Sequence, residues 1–155
     1  MDQDSVTCEI QIAAPPERVF RALTSKDDVK IWSNQTGPMK LTAWEMDARL
    51  GGTWKYNVVD TSGTGLRGVT EFRHWGEIIE FDPPRVLAYT WITNFHIDPG
   101  MKTVVRWELS ANAGGTLVRV THSGLAPDQE MRKDYGSGWP GLLQEVKQYL
   151  EKRGE

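Results

Sequence analysis

Cysteine is nearly absent. The single Cys8 among 155 residues excludes an intramolecular disulfide and argues against a thiolate metal cluster. Positive charge is also scarce as a block. The formal net charge is -3, and the lysines and arginines are scattered rather than massed on one segment. That excludes the clustered charge on which nucleic-acid affinity depends. No apolar stretch approaches the roughly 20 residues that a membrane span requires. The N-terminus, Met1-Asp2-Gln3-Asp4, is acidic and has no apolar run, so it does not read as a secretory signal. A soluble, cytoplasmic protein is expected.

Catalytic signatures are missing too. There is no Gly-x-Ser-x-Gly elbow and no Cys/His pairing signature. Gly51-Gly52 and Gly114-Gly115 are not phosphate loops, because neither opens a helix with the required lysine. The three histidines, His74, His96 and His122, lack the close spacing of metal ligands, so neither a metal nor another cofactor is expected.

Aromatic residues, by contrast, are plentiful. Seven tryptophans in 155 residues is a high share. Each is large and apolar with one N–H to satisfy, so several together fill a wide core or line a pocket. The length fits one domain, 1–155, and a chain of this size buries roughly 70% of its unfolded surface without staples.

Periodicity orders the elements. Val6, Cys8, Ile10 and Ile12 alternate with polar residues, which predicts a half-buried strand. Pro15-Pro16 starts a short helix from Glu17 to about Leu23. Thr24-Ser25 offers an N-cap for a second, with Asp27 and Asp28 in its first turn and an end near Ile31-Trp32. Ser33 to Lys40, with Gly37-Pro38, reads as a loop.

From Leu41 to His122 strands are expected throughout. Their ranges are Leu41–Met46, Thr53–Val59, Leu66–Phe81, Val86–Ile92, Thr103–Ser110 and Thr116–His122. Asp60 to Gly65 and Asn112 to Gly115 are expected turns, and Phe95–Lys102 a loop. Gly68 and Gly76 are expected bulges or bends. Leu142, Leu143, Val146, Tyr149 and Leu150 recur at three and four, which predicts a long amphipathic helix ending by Gly154. Gly136-Ser137-Gly138 is expected to kink or interrupt it. The order implies an α+β domain: one curved antiparallel sheet of about six to seven strands, covered by the C-terminal helix, with two short helices closing one end.

Five signatures punctuate this order. They are Asp47-Ala48-Arg49-Leu50-Gly51-Gly52-Thr53-Trp54, Glu80-Phe81-Asp82-Pro83-Pro84-Arg85-Val86-Leu87, Ala88-Tyr89-Thr90-Trp91, Thr121-His122-Ser123-Gly124-Leu125 and Gly138-Trp139. In this order they resemble the activator-of-heat-shock-protein-90-ATPase-like branch of the SRPBCC (START-like, helix-grip) superfamily, from about Val6 to Arg153. The resemblance implies a cavity between sheet and long helix that accepts hydrophobic or amphipathic molecules. It also implies a chaperone partner. The eukaryotic co-chaperone of that name docks largely through a separate N-terminal domain, whereas about six residues precede the first strand here. A small-molecule-binding domain is therefore the first expectation.

The candidate ligand-binding set is Trp54, Tyr56, Phe72, His74, Tyr89, Trp91, Trp107, His122 and Trp139, mostly apolar with sparse polar atoms. Each is equally a candidate for plain core. His122 reads either as a ligand contact or general base, or as a structural imidazole bonded to the Ser123-Gly124 turn or packed beneath Trp139. Asp47 and Arg49, two apart on one face, read as a polar anchor at the cavity mouth or as a salt bridge holding the Gly51-Gly52 corner. An aromatase/cyclase-like or hydrolytic enzyme using His74 and His122 is the alternative function, and a chaperone-interaction module the third. A homodimer is compatible with the sequence.

Overall fold

The computed structural model describes residues 3–33, 39–63, 69–96, 98 and 100–153. Expectations placed on Gly37-Pro38, Gly65, Gly68 and Gly154 lie outside these residues.

The elements run β1 (Val6–Ile12), α1 (Pro16–Thr24), α2 (Lys26–Trp32), β2 (Met39–Met46), β3 (Thr53–Asp60), β4 (Glu71–Asp82), β5 (Val86–Thr93), β6 (Thr103–Asn112), β7 (Gly115–Ser123) and α3 (Gln129–Arg153). The seven strands form one antiparallel sheet in the order β1-β7-β6-β5-β4-β3-β2. The chain thus walks strand by strand across the sheet, and β1 closes onto the last strand. The sheet curls around α3, as the pattern of one apolar face and one long helix requires.

Period-two alternation sets which side chains face inward. Trp54 and Val58 on β3, Phe72 and His74 on β4, and Val105, Trp107 and Leu109 on β6 are buried, with less buried neighbours between them. Trp139, Leu143, Val146, Tyr149 and Leu150 of α3 join the same core. Burying an aromatic side chain removes about 150–250 Å² from water, so this one stripe carries much of the packing free energy.

Three local expectations are corrected. Gly136-Ser137-Gly138 does not interrupt the last helix, which is continuous over 25 residues and includes Pro140. Tyr135 and Trp139 on either side are held against the sheet, and such packing outweighs poor local propensity. The bulge in β4 sits at Ile79, where the register with β5 slips between Ile78 and Glu80, and not at Gly76. Gly76 serves close approach instead: a Cβ there would lie 2.0 Å from the Thr90 carbonyl oxygen. Ser25 does not cap α2 with its side chain; its N–H closes α1 onto Arg21 O at 2.8 Å.

Finally, Asp27 and Asp28 differ in role. Asp28 is buried and accepts from Arg18 Nη2 at 2.9 Å and from the Tyr149 hydroxyl, tying α1, α2 and α3 together.

The Asp47–Gly52 corner is held mainly by its backbone. Gly51 N–H donates to Ile78 O at 2.9 Å, and Ile78 N–H donates to Gly52 O at 2.8 Å. Gly51 has φ +81°, and a Cβ on Gly52 would lie 1.9 Å from Asp47 O. The Arg49–Asp47 pair at 2.8 Å is exposed, so it adds little.

Candidate functional site

Between α3 and the β3–β5 face of the sheet lies a cavity of about 340 Å³. Tyr56 and Val58 come from β3, Phe72 and His74 from β4, Trp91 from β5 and Phe95 from the loop after it. Met131, Asp134, Tyr135, Gly138, Trp139 and Leu142 of α3 form the opposite wall, and Met39 borders it at the start of β2. The helical spacing explains that wall: these residues recur at three or four along one face. The volume and the mainly apolar lining suit a small organic molecule. Among the described lining residues only Asp134 is an acid, and none is Lys or Arg.

His74 is the polar group set among these rings. Tyr56, Trp91 and Phe95 surround its imidazole at 4.9, 4.7 and 5.3 Å between centroids. Its Nδ1 lies 2.7 Å from the Tyr56 carbonyl oxygen. A carbonyl only accepts, so the proton sits on Nδ1 and Nε2 is a bare acceptor. Burial pushes the ring down to about 4, the bond to Tyr56 opposes this, and His96 adds to the lowering. His74 is therefore neutral at physiological pH.

His122 lies behind the wall. It is fully buried, and Trp139 Nε1–H donates to its Nδ1 at 3.3 Å. Its Nε2 must then carry the proton, which it gives to Thr103 Oγ1 at 2.8 Å. Thr103 in turn donates to the Trp91 carbonyl at 2.9 Å. Every polar atom in this chain is satisfied, and burial pushes the imidazole down to about 3, with His96 and His74 adding to the lowering. Of the two structural roles open to His122 in the sequence, the packing against Trp139 is the one present.

Above Trp91 a second network fixes the start of α3. Tyr135 Oη accepts from Trp91 Nε1 at 3.0 Å and lies 2.7 Å from His96 Nε2. His96 Nδ1 is 3.6 Å from Asp128 Oδ2. Asp128 also caps α3, its Oδ1 accepting from Met131 N–H at 3.1 Å. These bonds join the loop after β5 to the first turns of α3.

The candidate residues therefore divide. Tyr56, Phe72, His74, Trp91 and Trp139 border the 340 Å³ cavity. Trp54, Tyr89 and Trp107 border a void of only about 40 Å³ deeper in the core, which also touches Tyr56, Trp91 and Trp139. His122 borders neither. The Trp107 indole donates to the Tyr89 hydroxyl at 2.9 Å and the Trp54 indole to Thr90 O at 2.8 Å, so both have core partners. Sequence reasoning missed Met131 and Tyr135. The signal was the same stripe as Trp139, continued toward the N-terminus through the glycines. It also missed His96, which the sequence places in a loop and the structure buries.

Among the described residues no group of three or more His, Cys, Asp or Glu is placed to hold a metal ion. No helix among them is long and apolar enough to cross a membrane.

Comparison with known proteins follows the fold. Residues 13–151 match the family "Activator of Hsp90 ATPase homolog 1-like protein". A crystal structure of a Mesorhizobium loti protein is 26% identical, covers 96% of this chain and 97% of its own, and superposes with a TM-score of 0.72. A Chromobacterium violaceum protein gives 21% identity, 93% and 95% coverage and a TM-score of 0.76. The solution structure of an AHSA1-like protein from Aeromonas hydrophila gives 21%, 97% and 94%, and 0.72. No curated protein matches the chain.

Proposed function

We propose, from the premise that the chain belongs to the Activator of Hsp90 ATPase homolog 1-like family, that it is a binding protein for a small hydrophobic or amphipathic molecule held between the sheet and α3. The observation that carries this is the 340 Å³ cavity, walled by aromatic and aliphatic side chains around one neutral imidazole. A lumen so apolar gains free energy when an apolar molecule displaces its water.

Binding rather than turnover is the favoured reading. The proton on His122 Nε2 is committed to Thr103, and His74, pushed down to about 4, is a weak base at neutral pH. A chaperone partner, a homodimer and a cytoplasmic location are secondary proposals. They draw on the family resemblance and the composition rather than on the cavity.

The test is direct. Organic extraction and mass spectrometry of the purified protein identify any retained molecule. A thermal-shift series with apolar aromatics should raise the melting temperature, growing as RT ln(1 + [L]/Kd). If no compound in a broad lipid and aromatic library stabilises the protein, binding is not its function.

A further inference from the structure

We infer that the cavity selects neutral aromatic molecules bearing a hydroxyl group, whose proton is donated to Nε2 of His74. The inference rests on the binding role proposed above and names the chemical class bound.

Three observations carry it. First, His74 Nδ1–H is committed to the Tyr56 carbonyl at 2.7 Å, which leaves the opposite ring nitrogen as a lone-pair acceptor. His74 is only 5% exposed and borders the cavity, and among the described residues Nε2 has no hydrogen-bond partner. A ligand that fills the cavity takes solvent from this acceptor, so one that supplies a donor is favoured over one that does not.

Second, the other polar atoms nearby discriminate less. The Tyr135 hydroxyl is already engaged by Trp91 and His96, and the Tyr56 hydroxyl both gives and accepts. Only His74 demands a donor.

Third, the charge pattern excludes anions. None of the described lining residues is cationic, and the acid Asp134 is exposed on the α3 wall. A carboxylate pushed inward would meet the His74 lone pair with no counter-charge, at a large desolvation cost. The rings of Tyr56, Trp91, Phe72 and Phe95 supply faces and edges for an aromatic body. A phenolic hydroxyl is also a stronger donor than an alkyl one.

The experiment uses the intact protein and a matched series: 2-naphthol, 2-methoxynaphthalene and 2-naphthoate, measured by calorimetry at pH 7. We expect 2-naphthol to bind about tenfold tighter than 2-methoxynaphthalene, the usual scale of one well-placed hydrogen bond, and naphthoate to bind weakest. In His74→Phe, naphthol and its ether should bind alike. On the wild-type protein, the nitrogen NMR resonance of His74 Nε2 should move with naphthol and stay with the ether, which reads the same atom without a variant.

Equal binding of naphthol and its ether to the wild-type protein overturns the inference while leaving the binding role standing. So does tightest binding by naphthoate, or a naphthol preference that survives His74→Phe. Failure of all three to bind overturns both.

Discussion

The indole N–H of Trp139, on α3, donates to Nδ1 of His122, on β7, across 3.3 Å. That bond fixes the tautomer of a fully buried imidazole and couples α3 to β7. Trp139→Phe keeps a ring in place but leaves a buried acceptor without a donor. We expect a loss of roughly 1–3 kcal/mol in urea unfolding, beyond any change in packing. Nitrogen NMR of the wild type should show the His122 proton on Nε2. A proton found on Nδ1 would break the assigned chain from Trp139 through Thr103 to Trp91.

Acid should weaken the fold before any carboxylate titrates. In the unfolded chain both histidines titrate near pH 6.5. In the folded protein His74 is held down to about 4 and His122 to about 3, chiefly by burial. Above pH 6.5 each is neutral in both states and contributes no pH dependence. As pH falls below 6.5 the unfolded state takes up protons first, so stability drops until the folded values are reached. Each histidine adds up to about 1.4 kcal/mol per pH unit to that slope. His74→Phe should make the decline between pH 6.5 and 4 shallower. A melting temperature that stays flat from pH 7 to 4 contradicts both assignments.

Most of the architecture was legible because it depends on periodicity. Alternation along Thr103–Ser110 and the three-four stripe from Leu142 to Leu150 each survive as β6 and α3. The family signatures lie at corners that backbone sterics demand, such as Gly52 against Asp47 O. The site was legible only in part, since alternation tells which face a residue takes and not which atom borders an empty space. Trp54 and Trp91 share a face, yet only Trp91 reaches the larger cavity. Tyr135 was hidden because glycines on its C-terminal side suggested a broken helix. His96 was hidden because a loop is expected to be exposed, whereas its imidazole lies 2.7 Å from Tyr135 Oη in the interior.

Two neighbouring acids should behave very differently. Asp27 is exposed, whereas Asp28 is buried against Arg18 and Tyr149. Burial raises the Asp28 carboxyl, and the bonds from Arg18 and Tyr149 outweigh that, so it is held below the usual carboxylate range. Its contribution is present above the unfolded value near 3.9 and is lost as pH falls below it. Asp28→Asn strands the Arg18 guanidinium beside a neutral amide, and we expect a loss of about 3 kcal/mol. Asp27→Asn should stay within about 0.5 kcal/mol of wild type. Equal effects in chemical denaturation would mean that the three helices are not joined at this carboxylate.

Glycine in the last helix separates stability from binding. Gly138 and Gly141 are both helical, and no heavy atom lies within 4 Å of the place a Cβ would take on either. Each substitution by alanine should therefore stabilise the helix by up to about 1 kcal/mol. Their positions differ in one respect: Gly138 borders the cavity and Gly141 does not. Gly141→Ala should raise the melting temperature and leave affinity for 2-naphthol unchanged. A larger side chain at the other position, Gly138→Leu, extends over the lumen from the α3 wall and should weaken binding at least tenfold while the protein stays folded. Unchanged affinity in Gly138→Leu would mean that the ligand occupies some other part of the molecule. The glycine beside Trp139 would then be explained by the helix alone, without reference to what the cavity holds.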